Sequence, residues 1–225
     1  TARDGMDSGS YGIVNHVGHG FFYTMSVGEG TLGVKDASGL QNDPHYFLLN
    51  NLNCASAAFD YNSIMERFVV NPNGGAVAAL GSSRAAFPTT AGAYQFSFFE
   101  ALFDLQSPTL GDAVADGRQP FDAATYEDTV QRWTHMTLAL IGDPSMTIWR
   151  SEPDTMSISS PDTMVLGSGL VEVLVEQAGA PLPGADVCLY REGEDYSVAT
   201  TGVDGRAFVP YTAKFSGPVS LGVSY

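Results

Sequence analysis

The sequence predicts an α/β domain built on a mostly parallel sheet, followed by an all-β domain, and three observations carry that expectation. In the first 150 residues, short apolar runs alternate with stretches of helical period, the pattern of strands covered by helices. A Pro- and Ser-rich stretch comes next, from Ser151-Glu152-Pro153-Asp154 through Ser159-Ser160-Pro161. Beyond it the period shortens to two, with turn residues at close intervals. The boundary therefore falls at 150/151, with domains expected over 1–150 and 151–225.

Taken in order, Tyr11 to Val17, Tyr46 to Leu52 and Gly75 to Gly81 read as buried strands. Ser63 to Val69, Ala93 to Leu105, Thr109 to Asp116 and Tyr126 to Leu140 read as helices. Asn71-Pro72-Asn73-Gly74-Gly75 has the chemistry of a helix-to-strand turn. Trp133, Met136 and Leu140 recur at helical spacing and are expected in the core, with Gly142-Asp143-Pro144 closing that helix. In the second region, strands are expected at Leu170 to Val175, Asp186 to Tyr190, after the Asp204-Gly205 turn, and at Val219 to Tyr225. Such spacing suggests a β-sandwich. Cys188 alternates with Val187 and Leu189 and is expected half-exposed on the opposite face. Three parallel strands are few for the residues attached to them, so further strands are expected on the N-terminal side, from a separate chain or a preceding segment.

Ten Lys and Arg stand against 25 Asp and Glu, for a formal charge of −15. A polyphosphate would be repelled over most of such a surface, so nucleic acid is not an expected partner. No apolar run reaches the ~18 residues of a membrane span. The chain starts on Thr1 rather than Met, which reads as a processing boundary. Its two cysteines, Cys54 and Cys188, make no disulfide framework and fit no close-spaced zinc pattern.

The chemistry-bearing stretch is Ile13-Val14-Asn15-His16-Val17-Gly18-His19-Gly20. Residues three apart on a strand face opposite sides, so His16 and His19 do not share a metal ion. His16 reads as a satisfied structural histidine. His19 stands between two glycines at the C-terminal end of a parallel strand, where open α/β sheets keep their ligand sites. Cys54 comes after another buried strand, in Asn53-Cys54-Ala55-Ser56. If those strands are parallel neighbours, both loops leave one edge. A free thiol titrates near ~8.5, so a nucleophilic cysteine needs a neighbouring imidazole. On spacing alone an inert buried thiol is the favoured reading.

Gly28-Glu29-Gly30-Thr31-Leu32-Gly33 satisfies G-x-G-x-x-G. The next residues, Lys35-Asp36-Ala37-Ser38-Gly39 and then Asn42-Asp43-Pro44, read as loop, so a chance match is expected and not a dinucleotide site. Phe21, Phe22 and Tyr23 suit either a substrate cleft or local packing, and Gly81-Ser82-Ser83-Arg84 ends its strand on the same presumed edge.

The ordered set "NHVGHG" at 15–20, "NCASAAFD" at 53–60, "MERFVVNPNGGAVAALGSSR" at 65–84 and "IGDPSMTIWR" at 141–150 resembles the gingipain-like cysteine peptidases, family C25 of the caspase-like clan. The resemblance implies a caspase-like α/β domain whose N-terminal strands are missing here, followed by an immunoglobulin-like sandwich. It places the proton-transfer role on His19, the nucleophile on Cys54, and an oxyanion hole on the backbone N–H groups of Gly20 and Cys54. It implies a peptide or protein substrate, a secreted or cell-surface setting, and an N-terminal segment or chain carrying much of the substrate pocket. No cofactor is required; a structural Ca2+ is implied by relatives, although no ligand-spaced loop stands out. Two alternatives accompany the endopeptidase reading: a sortase-like transpeptidase using the same residues, and a non-catalytic surface binding or scaffold protein of the same fold.

Overall fold

The computed structural model describes residues 1–150, 154–193 and 196–225. It divides into two units, Thr1–Arg150 and Ser151–Tyr225. The start of the expected linker, Ser151 to Pro153, lies outside the described residues.

The first unit runs α1 (Ala2–Asp7), β1 (Ile13–Val17), β2 (Gly20–Phe21), β3 (Thr24–Val27), β4 (Gly30–Gly33), α2 (Val34–Ser38), β5 (Phe47–Leu52), α3 (Ile64–Val69), β6 (Ala76–Ser82), α4 (Pro88–Phe103), α5 (Leu110–Arg118), a short 3-10 turn, α6 (Ala124–Glu127), α7 (Thr129–Thr137) and β7 (Leu138–Ile141). The main sheet has the order β1-β5-β6-β7. β1, β5 and β6 are parallel, and β7 is antiparallel to β6.

Alternation along β5 sends Phe47 and Leu49 to one face, under α2 and α3 with Ile64, Met65 and Phe68. Leu48 goes to the other face, under α4 and α5 with Phe98, Leu102 and Leu110. The sheet is thus covered on both sides, as buried parallel strands require. Helix starts obey local chemistry. Ser63 caps α3 through a reciprocal box with Glu66, whose carboxylate accepts the Ser63 N–H at 2.8 Å. Pro88 occupies the first turn of α4. α5 packs closely on α4 because Gly117 carries no side chain: a Cβ there would meet Phe98 Cα at 2.9 Å.

The expected helix over Tyr126 to Leu140 is instead two short helices and a strand. Asp128 adopts an extended backbone and its carboxylate accepts from Val130 N–H and Gln131 N–H, which starts α7 afresh. The apolar run after Thr137 then pairs with β6. As a result Trp133 and Met136 are exposed rather than core, while Leu140 packs on the α4–α5 side. Gly142-Asp143-Pro144 comes after a strand, not a helix. The G-x-G-x-x-G stretch forms the turn and second strand of the β3-β4 hairpin in the three-stranded sheet β2-β3-β4, with Gly28 at the turn in a left-handed conformation (φ 58°). The stretch from Lys35, expected as loop, belongs to α2, whose start is held by Asp36 accepting the Gly33 N–H at 2.8 Å.

The second unit contains β8 (Met156–Ser159), β9 (Gly167–Gln177), β10 (Ala180–Pro181), β11 (Asp186–Tyr190), β12 (Ser197–Thr200), β13 (Arg206–Ala213) and β14 (Ser220–Ser224). One antiparallel sheet is centred on β9, which pairs with β8, β10 and β13; the other has the order β12-β11-β14. Val171, Val173 and Val175 of β9 share a core with Val187 and Leu189 of β11 and Val209 of β13. Cys188 is half-buried between those two residues of β11.

Candidate active site

The parallel pairing of β1 with β5 aligns Val17 with Leu52, and Gly18 N–H donates to the Leu52 carbonyl at 3.1 Å. The two strands therefore end together, and the His19 and Asn53–Cys54 segments leave the same end of the sheet. There they touch. A Cβ built on Gly20 would fall 2.2 Å from Asn53 Nδ2 and 2.4 Å from its Cγ, so the Gly20 backbone lies directly on the Asn53 side chain.

His19 is exposed, and its main chain is fixed by β3. His19 N–H donates to Ser26 Oγ at 2.9 Å, and Ser26 N–H donates to the His19 carbonyl at 2.9 Å. Cys54 is half-buried. Ala86 N–H donates to its Sγ at 3.4 Å. The next residue, Ala55, has φ 55°, a left-handed conformation that is costly for a residue with a side chain. It is held there by Ala55 N–H donating to the Arg84 carbonyl at 2.9 Å and Ala57 N–H donating to the Ser82 carbonyl at 3.1 Å. The sharp turn after Cys54 is thus anchored on the end of β6.

His16 is bound on both sides of its ring: Nδ1 lies 2.6 Å from Asn51 Oδ1 and Nε2 lies 2.6 Å from the Ser26 carbonyl oxygen. Asn51 Nδ2 donates to Ser56 Oγ at 3.1 Å, and Ser56 Oγ donates to Asn53 Oδ1 at 2.5 Å. Ser26, Asn51, Asn53, Ser56 and Ala86 were not singled out from the sequence. Asn50-Asn51-Leu52-Asn53 carried the signal, because buried amides in an apolar strand must be hydrogen-bonded and so mark a built polar network.

Arg84 is engaged by Asp60 through two bonds, Nη1 to Oδ1 at 3.0 Å and Nη2 to Oδ2 at 3.1 Å. The aromatic run beside Gly20 packs largely on itself. Phe21, Phe22 and Tyr23 are in mutual ring contact, and Phe22 stacks on Tyr61 with centroids 4.5 Å apart. Phe21 and Tyr23 remain substantially exposed. Among the described residues, no three His, Cys, Asp or Glu side chains are grouped to hold a metal ion, and no helix is long and apolar enough to cross a membrane.

The model of peptidase family C25 matches residues 3–149. Among solved structures, the Arg-specific cysteine proteinase gingipain R (RgpB) aligns with a TM-score of 0.66 at 19% identity, covering 99% of this chain and 52% of that one. The complex of Porphyromonas gingivalis RgpB pro- and mature domains aligns with a TM-score of 0.64 at 19% identity, covering 99% and 53%. A further protease structure gives a TM-score of 0.64 at 18% identity, covering 98% and 53%. The chain spans about half the length of these structures. At such identities the likeness shows the fold, and it supports a caspase-like α/β first unit. No curated protein matched the chain.

Proposed function

Because the chain belongs to peptidase family C25, we propose that it carries the nucleophile-bearing part of a cysteine endopeptidase acting through a Cys54–His19 dyad. The observation that carries this reading is the contact of Gly20 with Asn53 at the common end of β1 and β5, since His19 and Cys54 are the neighbours of that touching pair.

In this reading the Cys54 thiolate attacks the scissile carbonyl carbon, forming the C–S bond and placing the electron pair on oxygen. The backbone N–H groups of Gly20 and Cys54 hold that oxyanion, and main-chain donors fixed in advance lower the barrier because they need no reorganisation as charge develops. His19, carrying the thiol proton, delivers it to the leaving amine as the C–N bond breaks. Water then attacks the thioester carbon while the now neutral His19 takes a proton from that water, and as the C–S bond breaks and the acid product departs, that proton passes from His19 to sulfur. The substrate is a peptide or protein. An N-terminal segment or chain completes the pocket, the second unit is an immunoglobulin-like sandwich, and the protein works secreted or at a cell surface.

The test is carboxamidomethylation by iodoacetamide at pH 6, in the full-length protein carrying Cys188→Ala. Fast modification of Cys54 that slows when His19→Ala is added supports the dyad. Equally slow rates in both proteins would instead favour a non-catalytic fold relative.

A further inference from the structure

Three asparagines stand at the end of β5 and just beyond it, and Asn50, Asn51 and Asn53 are each 3% exposed or less. The side chain of Asn53 has its two ends in different company. Its Oδ1 accepts from Ser56 Oγ, which in turn accepts from Asn51 Nδ2, the neighbour of His16. Its Nδ2 is buried, has no hydrogen-bond partner, and abuts the Gly20 backbone where a Cβ would otherwise stand. A buried amide donor left unpaired is unfavourable; Asn50 Nδ2 is likewise without a partner, and what distinguishes Asn53 is its seat against Gly20.

We infer that Asn53 is a positioning residue for the oxyanion hole, an inference that rests on the Cys54–His19 reading. The peptide joining Asn53 to Cys54 carries one of the two proposed donors, the Cys54 N–H. Gly20 carries the other. The Asn53 side chain, clamped through Oδ1, braces the Gly20 main chain while anchoring the plane of its own following peptide. One side chain thereby fixes the separation of both donors.

The experiment uses the full-length protein and a fluorogenic peptide library pooled over every residue before the cleaved bond, with kinetics on the best-cleaved member. Asn53→Leu fills the space without the amide. Asn53→Asp keeps the acceptor for Ser56 but removes the N–H. Removing one oxyanion donor outright costs about 100- to 1000-fold, so loss of its support is expected to lower kcat by about 10- to 100-fold in both variants, with KM within about threefold. Iodoacetamide reacts at saturated carbon and develops no oxyanion, so the alkylation rate of Cys54 should stay within about twofold of wild type by the same argument. Ser56→Ala, which frees Oδ1 but leaves the Gly20 contact, should fall between, and covers the case in which the Asn53 variants fold poorly. Wild-type kcat in Asn53→Leu, or alkylation that falls in step with kcat, overturns the positioning role alone. Turnover surviving Cys54→Ala overturns the dyad reading and this inference with it.

Discussion

His16 and Asn51 are joined ring to amide across the β1–β5 pair, with Nδ1 2.6 Å from Oδ1, while the other ring nitrogen meets the Ser26 carbonyl at the same distance. One side chain therefore ties the edge strand of the main sheet to its neighbour and to the hairpin that holds the His19 main chain. The sequence suggests a structural histidine here, and the contacts make it the junction of the polar network. His16→Ala leaves the buried Asn51 amide and the Ser26 carbonyl short of a partner. The expected cost is about 1–3 kcal/mol, read as a lower urea midpoint with unchanged slope.

Ala55 sets a size limit through its backbone and not through its neighbours. With φ at 55°, a β-branched side chain is excluded by its own backbone. Ala55→Val is expected to destabilise the protein by about 1–3 kcal/mol in chemical denaturation and to slow iodoacetamide at Cys54. Ala55→Gly, which relieves the strain but loosens the unfolded chain, is expected to stay within about 1 kcal/mol of wild type.

The Asp60–Arg84 pair has bidentate geometry, yet both side chains are more than two-fifths exposed. Solvent screening then limits its worth. A double-mutant cycle on Asp60→Ala and Arg84→Ala should give a coupling of at most about 1 kcal/mol, smaller in 1 M salt where the screening length is about 3 Å. A coupling that is large and insensitive to salt would contradict this reading.

Tyr94 sets a limit at high pH. The residue is 2% exposed, and its ring stacks on Phe121 with centroids 4.1 Å apart. Burial raises its phenol above the ordinary value of 10; nearby Arg118 opposes that shift and Asp122 adds to it. A group whose folded-state pKa is raised contributes its stability fully below the unfolded pKa and loses it as the pH climbs towards the folded value. Denaturant midpoints should therefore fall as the pH rises beyond about 10. Tyr94→Phe, having no proton to lose, should show a shallower decline over the same range.

Much of this architecture was legible because periodicity reports burial. β1, β5 and β6 came from apolar runs bounded by turn residues, and the period-two stretches of the second unit from Val171, Val173 and Val175 alternating with Glu172 and its neighbours. What escaped depended on tertiary pairing. Leu138 to Ile141 continues the apolar spacing of α7, and only the presence of β6 beside it makes a strand. The turn and second strand of the β3-β4 hairpin sat inside a glycine pattern whose loop chemistry hid the four-residue strand β4. At the candidate site, His19 and Cys54 drew attention through the residues flanking them, and Gly20 through the family resemblance. The asparagine network did not, because its signal is one of composition, three asparagines at 50–53 in an apolar run, and has no spacing of its own.

The two loops at the site inherit different mechanical footing from the strands that lead into them. Cys54 succeeds β5, which lies between two parallel neighbours with its first five residues buried, whereas His19 succeeds β1, whose residues are half-buried or exposed and which, among the described residues of this chain, pairs within the sheet only with β5. Local opening starts where neighbours are fewest, so deuterium should enter β1 amides well before those of β5. In this chain the His19 loop follows the strand with fewer partners and the Cys54 loop the one with more, so thermal excursions are expected to vary the separation of the two side chains chiefly by moving the His19 loop.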